Sequence, residues 1–176
     1  FVSKKMRITY RFYLASILIG IIGGFVCVLF RYIIFHADNL RMILFNNNNL
    51  SDFQRIINNG ISFHTIVFII TKYLFLFIIT ISFLNIIQRL VRRFPTTSGS
   101  GLPQTKALLE KKMEYKSPIK NVVAKFSGGI LSILSGLSFG REGSSVQMGS
   151  LIGFIIGKGL KVEDENHNYL IAAGAG

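Results

Sequence analysis

Two glycine-punctuated segments hold the residue types able to do chemistry: Ser98-Gly99-Ser100-Gly101-Leu102-Pro103 and Gly140-Arg141-Glu142-Gly143-Ser144-Ser145. In the first, Pro103 sits at an early helical position, where its missing N–H costs nothing, and helix propensity continues through Gln104–Lys112. A serine between glycines at such a start offers a hydroxyl and free N–H groups, backed by the positive end of the helix dipole. This combination favours a dehydrated anion without a full positive charge, so the anion can leave again. Taken alone, Gly-Ser-Gly-x-Pro is more often a plain loop before a helix start. In the second segment, Arg141 and Glu142 stand between apolar, glycine-rich stretches, and ionisable groups at membrane depth are expensive. They either close a helical hairpin as an interfacial Arg–Glu pair or place a titrating carboxylate in the path of an ion. Ionised, that carboxylate competes with an anion for the same backbone donors; protonated, it withdraws. One group then links anion occupancy to proton occupancy.

The elements that must position these segments are apolar helices. Phe12–Phe30 carries no charge and follows Lys4, Lys5, Arg7 and Arg11, about the roughly 20 residues a spanning helix needs. Gly20, Gly23 and Gly24 within it suit close helix approach, and Tyr10, Tyr13 and Tyr32 flank it as interface anchors do. The polar stretch from His36 to Phe63, with its Asn46–Asn49 run and Gly60, is expected to be a loop with one amphipathic stretch around Phe53–Ile57. A second span is expected from Phe63 to about Ile87, interrupted by Lys72, which snorkels or, less readily, faces a neighbouring helix, and stopped by Arg89, Arg92 and Arg93. Phe126–Phe139 and Gly143–Gly157 are short for a span and flank Gly140-Arg141-Glu142. Runs of that length suggest re-entrant or broken helices, where half-helix ends expose unpaired backbone groups.

The composition agrees with a membrane protein. Of 176 residues, half are apolar and 16% charged, against about a quarter in soluble domains, and the mean hydropathy is +0.48. The net charge of +12 lies mostly in the N-terminal flank and in Arg89–Lys125. The positive-inside rule therefore puts the N-terminus and the Arg89–Lys120 region in the cytoplasm. A nucleic-acid partner is not implied, because long uncharged runs separate the basic residues. The single Cys27 permits no internal disulfide. The chain starts at Phe1 and stops within an apolar segment, so a partial reading frame is expected.

Gly99-Ser100-Gly101-Leu102-Pro103 resembles the GSGIP motif of the CLC chloride channels and chloride/proton antiporters. Gly140-Arg141-Glu142-Gly143 resembles the start of their GREGP motif, and Lys125-Phe126-x-Gly128-Gly129 resembles their K-F-x-G-G segment, with Val146, Gln147 and Gly149 continuing the pattern. The resemblance extends over essentially the whole chain. It implies an all-α polytopic membrane fold of tilted, re-entrant and broken helices, with residues 1–176 forming the N-terminal portion of the transport domain, incomplete at its C-terminus. It further implies chloride transport, most readily chloride/proton exchange, with a passive chloride channel as the alternative. Ser100, with Gly99 and Gly101, would bind the anion; Glu142 would be the gating, proton-exchanging glutamate; the N–H groups of Gly143 and Ser144 would be further anion donors. Leu102, Pro103, Gly140 and Arg141 would shape the turns. Ser144 stands where the family usually has proline, which adds an N–H and a hydroxyl, and as a good capping residue it should preserve the helix start. The implied partners are chloride, protons, the lipid bilayer and a second copy in a homodimer; the implied location is a bacterial inner membrane. The third anion loop and the coordinating tyrosine of the family fall outside this sequence.

No catalytic triad, zinc spacing, Walker loop or dinucleotide fingerprint occurs, so neither an enzyme nor a cofactor is expected. A membrane-embedded enzyme using Glu142 as acid/base would need a second titratable group nearby. His36 and His64 read as interfacial. His167 reads as part of a solvated Glu163–Asn168 connector before a helix starting near Tyr169, and Gly128, Gly129 and Gly136 read as packing glycines.

Overall fold

A computed structural model describes residues 2–59, 63–137, 140–162 and 164–176. Within them the chain forms α1 (Val2–Asn59), α2 (Phe63–Arg93), a 3-10 turn (Pro95–Thr97), α3 (Leu102–Leu109), α4 (Pro118–Leu134), α5 (Arg141–Gly159) and α6 (Asp164–Ala175). No strand occurs among the described residues. The all-helical architecture with broken helices is the one the sequence pattern called for.

Two helices are long and apolar enough to cross a membrane, over Tyr10–Ile43 and Ile66–Arg93. Only 17% and 6% of their most apolar windows are buried within the described residues. Tyr10, Tyr13, Ile17, Ile21, Phe25, Val28, Tyr32 and Phe35 form an exposed stripe down α1, an arrangement that needs an apolar covering, lipid or further helices. The opposite face buries Ala15, Ile19, Phe30, Ile34 and Ala37.

The expected His36–Phe63 loop is helix instead, since α1 continues to Asn59. The Asn46–Asn49 run lowers helix propensity by only a few tenths of a kcal/mol per residue, roughly, and no glycine or proline interrupts the stretch before Gly60, which lies outside the described residues. Arg41 and Asp38 pair at 2.9 Å one turn apart, supporting the helix past the first expected boundary. Likewise α2 runs through its terminal arginines to Arg93, where cations favour a helix C-terminus.

Helices α4, α5 and α1 meet around Phe30, Ile34, Ala37, Ile133 and Met148. Gly129 makes this possible, because a Cβ there would lie 2.8 Å from Phe30 Cζ. Gly128 is similarly tight against Leu90 at 3.2 Å. Gly136 has another role. A Cβ there would meet nothing within 4 Å among the described residues, but its φ is +85°. It ends α4 as a left-handed C-terminal residue, with Gly136 N–H donating to Ile133 O and Leu137 N–H to Ser132 O. The same terminating pattern closes α3, with Lys112 N–H to Ala107 O, and α5, with Val162 N–H to Gly157 O. There the left-handed positions are occupied by Lys111 (φ 56°) and Lys161 (φ 52°), a conformation costing a non-glycine residue about 1–2 kcal/mol.

Helices α5 and α6 pack through glycines. Gly149 and Gly174 face each other's backbone, Gly153 faces the Leu170 carbonyl, and Gly157 accommodates the His167 ring. Spaced four apart, Gly149, Gly153 and Gly157 make the small-residue seam by which membrane helices approach closely. The solvated-connector reading of His167 is therefore corrected: α6 starts at Asp164, and His167 stacks on Phe154 with ring centroids 5.3 Å apart. Carboxylates suit a helix's first turn, which explains why the acidic connector is helical; Glu163 itself lies outside the described residues.

Candidate functional site

The segment from Phe94 to Gly101 is a loop whose carbonyls are nearly all engaged. Lys125, 2% exposed, reaches across from α4 and donates from Nζ to Thr97 O at 3.0 Å and Gly99 O at 2.7 Å. Gln104 Nε2 donates to Ser98 O at 2.7 Å. Gly101 O accepts from both the N–H and the hydroxyl of Thr105, each at 3.0 Å. By contrast, the N–H groups of Gly99, Ser100, Gly101 and Leu102 have no backbone acceptor among the described residues. Ser100 is exposed and its hydroxyl has no partner among them. With most of its carbonyls engaged and these N–H groups open, the loop backbone presents positive partial charge, while the buried side-chain oxygens of Gln104 and Gln147 beside it have no hydrogen-bond partner among the described residues.

Both helices that start here are uncapped. Gly101 is the N-cap of α3 with φ 94°, Pro103 lies in the first turn, and no side chain caps the end. Gly140 is the N-cap of α5, again without a side-chain cap. The orphan N–H groups of two helix starts therefore remain available. The starts are also in contact. A Cβ on Gly143 would collide with the carbonyl of Ser100, and a Cβ on Gly101 would lie 2.6 Å from Gly143 O. Two motifs some forty residues apart in sequence thus share one backbone-to-backbone contact that only glycine permits.

Gln147, 1% exposed, fastens the two motifs from the second turn of α5. Its Nε2 donates to Thr96 O at 2.8 Å and to the Tyr115 hydroxyl at 3.2 Å. Burial pushes the Tyr115 phenol above its ordinary value, and the hydrogen bond with Gln147 works in the opposite direction. Neither Gln147 nor Lys125 stood out in the sequence as a site residue. The cue for Lys125 is a lysine set among apolar residues in the middle of α4, which needs a buried partner.

Glu142 lies in the first turn of α5 and is exposed, with no ion-pair partner among the described residues. It lines a cavity of about 470 Å³ together with Gly20, Gly23, Gly24, Cys27 and Arg31 of α1. Among the described residues a Cβ on Gly20, Gly23 or Gly24 would meet nothing within 4 Å, so within them these glycines do not make the close helix contact expected and instead line the cavity beside Glu142. Ser144 is fully buried with its hydroxyl 3.5 Å from Gly140 O; it braces the turn from inside rather than capping it. Arg141 opens α5, and its side chain is outside the described part of the structure.

Apolar helices facing lipid, broken near two uncapped starts that meet, define an integral membrane protein built around broken helices. Residues 78–176 match the family described as "Voltage gated chloride channel", and the chain belongs to that family. It is 39% identical over 93 residues to the H(+)/Cl(-) exchange transporter ClcA of Vibrio cholerae, covering 49% of this chain and 19% of that protein. The ClcA protein of Vibrio vulnificus is 36% identical over 91 residues, with the same shares covered. The human H(+)/Cl(-) exchange transporter 7 is 28% identical over 145 residues, covering 81% of this chain and 16% of that protein. The matches therefore span less than a fifth of those relatives' length. No solved structure matches the chain significantly.

Proposed function

We propose that the chain supplies part of a chloride pathway, operating as chloride/proton exchange in the complete protein. The observation that carries this reading is the meeting of Ser100 with Gly143 at two uncapped helix starts, with the intervening carbonyls engaged by Lys125, Gln104 and Thr105. Such a site attracts an anion through partial charges alone, so binding is shallow enough for release. Ser100 gives its hydroxyl, Gly99 and Gly101 shape its loop, and the Gly143 N–H, an orphan donor of the uncapped α5 start, adds to it. Ser144 closes the α5 turn behind Gly143. Leu102, Pro103, Gly140 and Arg141 set the two helix starts.

Glu142 is the gate. Its carboxylate, one residue before Gly143, is an anion tethered beside the anion site. When ionised it competes with chloride for the N–H groups of the helix start; on protonation it loses that attraction and chloride enters. Chloride arrival and carboxylate protonation are thereby linked, and the α1 cavity gives the side chain somewhere to swing. The names of the exchanger relatives support the coupled reading. The complete protein works as a homodimer in a bacterial inner membrane, with the N-terminus and the basic Arg89–Lys120 segment on the cytoplasmic side.

The test is a liposome assay on the complete protein with an outward chloride gradient and an external pH probe. Wild type is expected to drive protons uphill, and Glu142→Gln to move chloride with no proton movement. Chloride flux without protons in wild type would replace exchange by a passive channel. Absence of any anion flux would overturn the transport reading.

A further inference from the structure

The cavity in front of Glu142 holds a second charge that the gate does not yet use. On α1, Gly20, Gly23, Gly24, Cys27 and Arg31 recur every three or four residues, so they share one helix face, and all five line that cavity of about 470 Å³. Helices α1 and α5 run antiparallel beside it. Ala15 and Ile19 pack with Ile156 and Leu160, whereas Phe30 and Ile34 pack with Met148. Near the second of these contacts the Cys27 thiol reaches Ser145 O at 4.0 Å. Arg31 is one turn on from Cys27 and Glu142 is about one turn back from Ser145, so the arginine comes level with the carboxylate. Helix α6 adds Ala173, Gly174 and Ala175 to the wall. Arg31 and Glu142 are thus its charged residues, and Cys27 is its other titratable one.

Arg31 follows the uncharged run of α1 and lies inside the apolar stretch Tyr10–Ile43. A cation there is expensive and faces a cavity or a counter-charge. Arg41, further along the same helix, has Asp38 as its partner. Arg31 and Glu142 are both exposed, and neither is ion-paired among the described residues. We propose that Arg31 is the positioning residue of the Glu142 gate: it receives the ionised carboxylate when this swings away from the anion site, forming an ion pair across the cavity. The inference rests on the reading of Glu142 as the gate. An ionised carboxylate then has two resting places. At the α5 start it excludes chloride; at Arg31 it leaves the backbone donors free. Arg31 therefore keeps the pathway open to chloride while Glu142 is ionised, and it has nothing to hold once the carboxylate is protonated.

The test is chloride flux from liposomes containing the complete protein, at about pH 3 and about pH 8, below and above the ordinary carboxylate range. The ratio of the two rates is the reading, because it cancels the amount of folded protein. Arg31→Gln is expected to lower the alkaline-to-acid ratio about threefold, the worth of a partly exposed ion pair. Arg31→Lys keeps the wild-type ratio, and so does Cys27→Ser, which removes the cavity's other titratable group. In a Glu142→Gln background, Arg31→Gln changes nothing. A ratio unaltered by Arg31→Gln overturns the inference, whatever happens to the absolute rates. A loss that persists in the Glu142→Gln background also overturns it, since Arg31 would then meet chloride itself. A ratio that falls in Arg141→Gln but not in Arg31→Gln assigns the partner to the wrong arginine. Failure of the gate is recognised separately: Glu142→Gln would then retain the wild-type dependence on pH, and the role of Arg31 would fall with it.

Discussion

Replacing Gly101 by alanine puts the contact between the two motifs under direct strain. The first cost is conformational: φ at Gly101 is +94°, which for a residue with a Cβ costs about 1–2 kcal/mol. The second is steric. The new Cβ would lie 2.6 Å from Gly143 O, 2.7 Å from Gln147 Cβ and 2.8 Å from Gln147 Oε1, whereas ordinary contact begins at 3.4 Å. Two of these obstacles are a backbone oxygen and a Cβ, which cannot rotate away. The α3 and α5 starts must separate, and overpacking of this kind costs about 1–3 kcal/mol. Gly136 provides the matched control: its φ is +85°, but a Cβ there meets nothing within 4 Å among the described residues. Denaturant unfolding of the complete protein in micelles should show Gly136→Ala losing only the conformational cost of about 1–2 kcal/mol. Gly101→Ala should lose a further 1–3 kcal/mol or so and reduce chloride flux, which Gly136→Ala leaves intact. Equal losses in the two variants would refute the contact between the motifs.

Other perturbations have equally definite outcomes. Lys125→Met leaves the Thr97 and Gly99 carbonyls without their donor; stability should fall by about 3 kcal/mol in denaturant titrations, and chloride affinity measured by calorimetry should fall with it. Gly153→Val forces a side chain against the Leu170 carbonyl and should cost about 1–3 kcal/mol or more by overpacking the α5–α6 seam. Gly159→Ala, where a Cβ meets nothing within 4 Å among the described residues, should be neutral in the same assay. Tyr115 has a raised pKa in the folded chain against an ordinary value of 10.0. The unfolded chain therefore loses that proton first, and this contribution, present below about pH 10, is lost as pH rises further. The alkaline fall of the unfolding midpoint should be shallower in Tyr115→Phe than in wild type.

Much of this architecture was legible in the sequence, because the bilayer imposes a length and a polarity that no tertiary contact overrides. The apolar runs placed α1 and α2, and Pro103, Gly101 and Gly140 placed the starts of α3 and α5. Boundaries read from polarity alone failed at His36–Phe63. Asparagine is polar yet helix-compatible, and only glycine or proline stops a long helix firmly. The acidic Asp164–Asn168 stretch misled for the same reason. The role of Gly136 depended on the sign of one backbone angle, which the amino-acid type permits but does not dictate. The α1 glycines looked like packing positions because their spacing carries no sign of which neighbour they face; across from them stands an open cavity with Glu142. The Gly149, Gly153 and Gly157 seam, by contrast, was available from its four-residue spacing. Within the site, the two motifs were evident from their residue types. Lys125 and Gln147, the side chains that hold the first loop, act through distant carbonyls, and only the folded chain shows which carbonyls those are.

The most direct measurement is the position of an anion. Crystals of the complete protein grown in bromide would reveal the ion by anomalous scattering. The account predicts a peak within hydrogen-bonding reach of the Ser100 hydroxyl and beside the Gly143 N–H, which weakens in Ser100→Ala. Bromide bound elsewhere in the pathway with none at this junction would contradict it.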